Sequence, residues 1–213
     1  MSVTLVIPEK PSVPDLYFWA LQASFVGPGG RSGGAHLGLQ WHSGHPQGTA
    51  VNWGGYSSAG PVLDGTESVL PSAMGNPHTR DYPWRPGSPY RLAISPDKDR
   101  GEGWWTGTVV DLEQQIETKI RSLFSAGERL AQAIVWTEAF CRCDAPPVAA
   151  IWSAPFGRRR DGELFYPDAM SLTYQAEGDG GCSNTDSYLL PHGFAQVTGV
   201  TRTNQAGSLL RRP

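Results

Sequence analysis

This 213-residue chain predicts an all-β fold, an antiparallel sandwich of about ten to eleven strands. Three observations carry that expectation. The composition sets 26 Gly, 18 Pro and 8 Trp beside only 17% charged residues, a balance that favours many short strands and turns over long helices. Apolar and polar residues alternate in short runs, the period of a strand with one face buried. Clusters of Gly, Pro, Asn and Asp separate those runs and supply the backbone angles that reversals require. The length suits one domain spanning residues 1–213.

In chain order, DLYFWALQASF (15–25) sets Tyr17, Trp19, Leu21, Ala23 and Phe25 on one side. Leu16, Phe18 and Ala20 opposite are apolar too, which predicts burial on both faces. GPGGRSGG follows as a glycine-dense reversal. Its GRSGG formally matches a nucleophile motif, but that motif works only where a strand turns sharply into a helix, so Ser32 is read as a loop residue. GGAHLGLQWH (33–42) then puts Ala35, Leu37, Leu39 and Trp41 on a core face and His36, Gly38, Gln40 and His42 on the other.

Further strands are expected at 49–53, 90–94, 104–110, 130–136, 148–152, 171–177 and 195–201. Residues 111–124 carry two patterns. Leu112, Ile116, Ile120 and Phe124 recur at a helical spacing of four, whereas Ile116, Thr118, Ile120, Ser122 and Phe124 alternate as a strand would. Agreement between local and global choices favours a hairpin here. Residues 55–89 form a connection far longer than usual; such loops tend to be functional or disordered, and the aromatic and charged stretch NPHTRDYPWR (76–85) argues against plain disorder.

Charge and motifs exclude several classes. A net charge of −3 without a basic stripe leaves no footprint for nucleic acid or an anionic membrane. The first residues hold no basic segment followed by a long apolar run, so the chain as written is expected to be cytoplasmic, or secreted if a leader has been removed. No phosphate loop or dinucleotide fingerprint appears, and no cofactor is expected. No metal site is expected either. His36 and His42 lie six residues apart on a strand, about 20 Å at 3.3 Å per residue, too far to grip one ion. A His42–His45 pair with Asp64 or Asp81 is the remaining arrangement. Oligomeric state is left open. Cys141, Cys143 and Cys182 give no zinc spacing; free thiols are the first reading, and a Cys143–Cys182 disulfide, which needs an oxidising compartment, is the alternative.

FWALQASF, GGAHLGLQWH, the run from Tyr90 to Phe124, VWTEAFCRCD and GGCSNTDSY together resemble uncharacterised bacterial jelly-roll proteins similar to the concanavalin A-like lectins and glucanases. The resemblance covers roughly residues 15–200 through aromatic and glycine patterns. It implies a jelly-roll sandwich whose concave sheet and bordering loops bind carbohydrate, and in some members cleave glycosidic bonds.

A candidate saccharide cleft follows. His36, Gln40 and His42 would read the hydroxyls of a neutral glycan, since imidazole and amide groups donate and accept without fixed charge. Asn52 and Tyr56 would flank them, with Arg80, Asp81, Tyr82, Trp84 and Arg85 forming a wall from the long loop. Trp105 would add a stacking face, because adjacent Trp104 and Trp105 must point opposite ways in a strand. Trp41, Trp136 and Trp152 are assigned to the core.

For catalysis the best acid is Glu138, beside Trp136, where desolvation would raise its pKa. The Glu-x-Asp-x-x-Glu signature of sandwich glucanases is absent. A lectin-like carbohydrate-binding protein is therefore the preferred reading. A glycoside hydrolase or polysaccharide lyase centred on Glu138 and a non-catalytic protein-interaction domain are the alternatives.

Overall fold

The computed structural model describes residues 1–212. Its strands are β1 (Ser2–Val6), β2 (Tyr17–Gly27), β3 (Gly30–Trp41), β4 (Thr49–Ser57), β5 (Thr79–Asp81), β6 (Pro89–Pro96), β7 (Trp104–Asp111) and β8 (Ile116–Phe124). They continue as β9 (Arg129–Ala139), β10 (Ala149–Arg158), β11 (Leu164–Phe165), β12 (Ala169–Ser171), β13 (Thr185–Leu190), β14 (Gly193–Thr198) and β15 (Leu209–Arg211). Every pairing is antiparallel, and among the described residues the only helical turns are three short 3₁₀ segments.

One sheet runs β13-β14-β10-β1-β6-β7-β8, with β11 attached to β10. The other runs β5-β4-β3-β2-β9, and β12 pairs separately with β15. The two large sheets make the expected antiparallel β-sandwich. Among the described residues there are fifteen strands rather than ten or eleven, and the additional ones are mostly short: β1, β5, β11, β12, β13 and β15. The expected strand at 171–177 is corrected: β12 ends at Ser171, and the following residues leave the ladder.

The core has a direct cause in the alternation. Tyr17, Trp19, Leu21, Ala23 and Phe25 of β2 and Ala35, Leu37 and Leu39 of β3 share one buried face with Val51 and Trp53 of β4. Opposite them lie Val3 and Leu5 of β1, Leu92 and Ile94 of β6, and Val109 of β7. Close approach needs a small residue at one point: a Cβ on Gly107 of β7 would lie 2.7 Å from the Trp53 ring. The expectation that β2 is buried on both faces also holds, since Phe18 and Ala20 are buried on its outer side.

The ambiguous 111–124 segment is a hairpin, with β7 and β8 paired from Trp104↔Phe124 to Asp111↔Ile116. Asp111 caps its turn by accepting from the amides of Glu113 and Gln114 at 3.1 and 3.0 Å. The reversal between β2 and β3 is confined to residues 28–29, so Ser32 stands in β3 rather than in a loop. Its hydroxyl lies 2.9 Å from that of Ser125, which leaves it a structural partner.

Candidate functional site

The two sheets are unequal in width, and the site follows from that. β9 is the last strand of the narrower sheet and is joined to β14 through Gln196, while β13 continues beyond it. The overhang is partly roofed by the segment between β12 and β13. Between them lies a groove of about 830 Å³, within the range of ligand sites. Ala133 to Ala139 line it consecutively, which means that the edge of β9, and not one of its faces alone, forms a wall.

That edge is unpaired by any strand of the described residues. The Val135 carbonyl points away from β2 and accepts from Gln196 Nε2 at 3.2 Å. By antiparallel alternation the backbone groups of Thr137 face the same way. Gln196 also joins the sheets, its Oε1 accepting from Thr137 Oγ1 and Trp152 Nε1, each at 2.8 Å. Both strands flanking the groove carry a bulge with a non-glycine residue in the left-handed region, Gln132 in β9 (φ 52°) and Ala154 in β10 (φ 45°). Such strain costs on the order of 1–3 kcal/mol each and concentrates at binding sites.

Glu138 stands on the outer face of β9 beside Phe18 and lines the groove. It is half-buried, and burial alone pushes its carboxyl above the usual range, as the sequence led one to expect. Gln22, also in the lining, accepts from Trp136 Nε1 at 3.1 Å. Gln22 is paired with Ile134, four residues from Glu138, or about 13 Å along the strand. The two side chains therefore serve different positions of a bound molecule.

Two fastenings hold the roof. Cys143 and Cys182 form a disulfide, so the bridged alternative replaces the free thiols of the first reading, and Cys141 alone is free. Asp186 of β13 accepts from Tyr174 Oη, Thr203 and the Ser187 amide at 2.6–2.9 Å. Burial works to raise its carboxyl, but these bonds outweigh it and hold the group well below the usual range.

The predicted saccharide cleft is not assembled. His36 and Gln40 do face away from the core, as their parity requires, but they meet side chains there. His36 packs edge-on against Phe18 at 5.4 Å and Trp136 at 5.8 Å, and burial, with His78 as a lesser cause, pushes its pKa down to about 4. Gln40 is buried. Asn52 is buried too and donates to Thr79 Oγ1 at 2.8 Å. His42 lies beyond the end of β3, its ring 5.6 Å from that of His45. Among the described residues no group of three or more His, Cys, Asp and Glu side chains is placed to hold a metal ion.

The wall expected from the long loop folds inward instead. Trp84, only 2% exposed, donates to the Gln40 carbonyl at 2.8 Å and meets Trp19 edge-on. Tyr82 joins the same core, Arg80 is buried, and Asp81 is half-buried in β5. Arg85 pairs with Asp111 and Glu113, while Tyr56 is exposed by itself at the end of β4. Trp105 is a core residue and its neighbour Trp104 is the one turned outward, the reverse of the expectation. Trp152 is in the core as expected, but Trp41 is only partly buried and Trp136 packs on the outer face.

No family model and no curated protein matches this chain. Solved structures with a similar course include scytalido-glutamic peptidase with a transition state analog inhibitor, at TM-score 0.37 and 9% identity over 92% of this chain and 89% of that one. The same peptidase with a peptide based transition state analog gives 0.36 and 9% over 92% and 90%. SCP-B, a member of the Eqolisin family of peptidases in complex with the tripeptide Ala-Ile-His, gives 0.36 and 8% over 92% and 89%. These neighbours are peptidases and not lectins, and they give the concanavalin A-like part of the resemblance no support. The carbohydrate-binding reading is corrected by where its residues lie. The physical reason lies in Trp84, Tyr82 and Trp105, whose faces a sugar would need and the core has taken.

Proposed function

We propose that the groove along β9 receives an extended polypeptide segment, which adds to the unpaired edge as a further strand. The observation that carries this reading is the consecutive lining from Ala133 to Ala139 beside a free strand edge. Strand addition draws affinity from main-chain hydrogen bonds and specificity from pockets for alternate side chains. Gln196 Nε2 already occupies the Val135 carbonyl, as an incoming amide would. Phe156, Met170 and Leu172 supply apolar lining.

Methylation of single backbone nitrogens in a bound peptide tests this. Binding is expected to fall at least tenfold at every second position and to be unchanged between them. Affinity that ignores methylation, or shows no period of two, contradicts strand addition.

A second reading, hydrolysis of the bound chain, is favoured by Glu138. A carboxyl raised by burial is a stronger base than a free one: its ionised form can take a proton from an attacking water and then deliver that proton to the leaving amine. Glu138→Gln would then abolish acid-range cleavage while leaving peptide affinity within about twofold. Cleavage that survives the substitution removes Glu138 from the chemistry.

A further inference from the structure

At the opposite edge of the sandwich, the connection between β4 and β5 covers a second cavity of about 420 Å³. Two arginines reach it from different sheets, Arg80 from β5 and Arg121 from β8. Their exposures are 7% and 6%, so both are more than nine-tenths buried. A buried guanidinium ordinarily has an acid beside it, since an unpaired charge away from water costs several kcal/mol. Here the ion pairs among the described residues belong to other cations, and none lies within 4.0 Å of Arg80 or Arg121.

Their hydrogen bonds are also sparse. Arg121 donates to the Pro77 carbonyl at 2.9 Å and lies 3.4 Å from His78 Nδ1. The Arg80 side chain donates to no group among the described residues, and the Nε atoms of both arginines are buried without a partner. Each is near enough to depress ionisation of a neighbour: burial, then Arg121, then Arg80 lower the pKa of His78. The loop backbone is fitted to this charge. A Cβ on Gly65 would fall 2.3 Å from Arg121 Nη2, so glycine lets the chain pass against the guanidinium. Asp64 and Glu67 line the cavity but are exposed at its rim.

We infer that this cavity binds a small dianionic oxyanion, phosphate or a phosphomonoester, between the guanidinium groups of Arg80 and Arg121. Guanidinium forks match phosphate oxygens two at a time, and two of them balance a charge near −2, whereas a carboxylate would leave one cation uncompensated. Glu67 at the rim, whose charge acts on Arg121, is the intramolecular competitor for the site.

The test is calorimetric titration with inorganic phosphate at constant ionic strength in chloride, alongside sulfate, glycerol phosphate and acetate. Saturable 1:1 binding of phosphate, weaker binding of acetate and a phosphate-dependent rise in melting temperature are expected. Tighter glycerol phosphate would mark a phosphomonoester as the ligand, and equal affinity the free anion; both support the site. Arg80→Met should weaken phosphate at least tenfold and raise the melting temperature in anion-free buffer, because an unpaired buried charge is removed. Should that variant fail to fold, Arg121→Lys keeps the charge, loses the fork and should weaken phosphate at least fivefold. No saturable binding of phosphate, sulfate or glycerol phosphate, or affinity unchanged in the folded variants, overturns the inference.

Discussion

The two open edges of the sandwich are closed by opposite means. At the β9 edge neutral groups join the sheets: Gln196 ties Thr137, Trp152 and the Val135 carbonyl together, and a disulfide and Asp186 hold the roof. At the β5–β8 edge Arg80 and Arg121 face a cavity without an acidic partner among the described residues. The first edge has no strand beside it and leaves the backbone groups of Thr137 free, which suits a partner made of backbone. The second satisfies its backbone and leaves charge unmet, which suits an anion. One fold thus presents two chemistries because its sheets differ in width at one side and in charge at the other.

The largest effect should come from the disulfide. Cys143→Ser with Cys182→Ser opens a connection of 39 residues, and chain entropy gives a loss of roughly 4 kcal/mol. Denaturant unfolding measures the loss. If the edges are independent, peptide affinity at β9 falls while phosphate affinity at the other edge is unchanged. Coupled losses would break the comparison.

Acid stability sharpens it next. The His36 pKa falls from 6.5 to about 4 on folding, so between those pH values the unfolded chain holds a proton that the native one lacks. Stability therefore drops as pH falls through that window, by roughly 3 kcal/mol in full. Glu138 has the opposite sign: its raised pKa makes the native state bind the extra proton, which favours the native state as pH falls from its raised value toward 4.5. His36→Gln should flatten the acid limb of stability against pH, and a limb left as steep as before would remove His36 as its cause.

The strands were legible where a single period governs them. Alternation over β2 and β3 placed Ala35, Leu37 and Leu39 inward and His36 and Gln40 outward, because a strand of period two has only two faces to offer. The β7–β8 hairpin was legible for the same reason. Trp84 was not, since nothing within YPWRP tells that the loop carries it back to the Gln40 carbonyl, 44 residues away. The partial burial of Glu138 was legible from its position beside Trp136, but the bonds of Gln196 and Asp186 were not, because their partners lie on other strands and in loops. The Arg80–Arg121 cavity unites two sheets and leaves no spacing in the chain, though a charged residue amid the core-facing pattern of β8 was the available signal.

The claim on which the account turns is that β9 keeps a free edge for another chain. Amide hydrogen exchange, read residue by residue with and without a bound peptide, addresses it directly. Protection should appear at Thr137 and its edge-facing neighbours along β9, with β5 unaltered. Binding that leaves those amides exchanging as fast as before, or protects β5 instead, would contradict it.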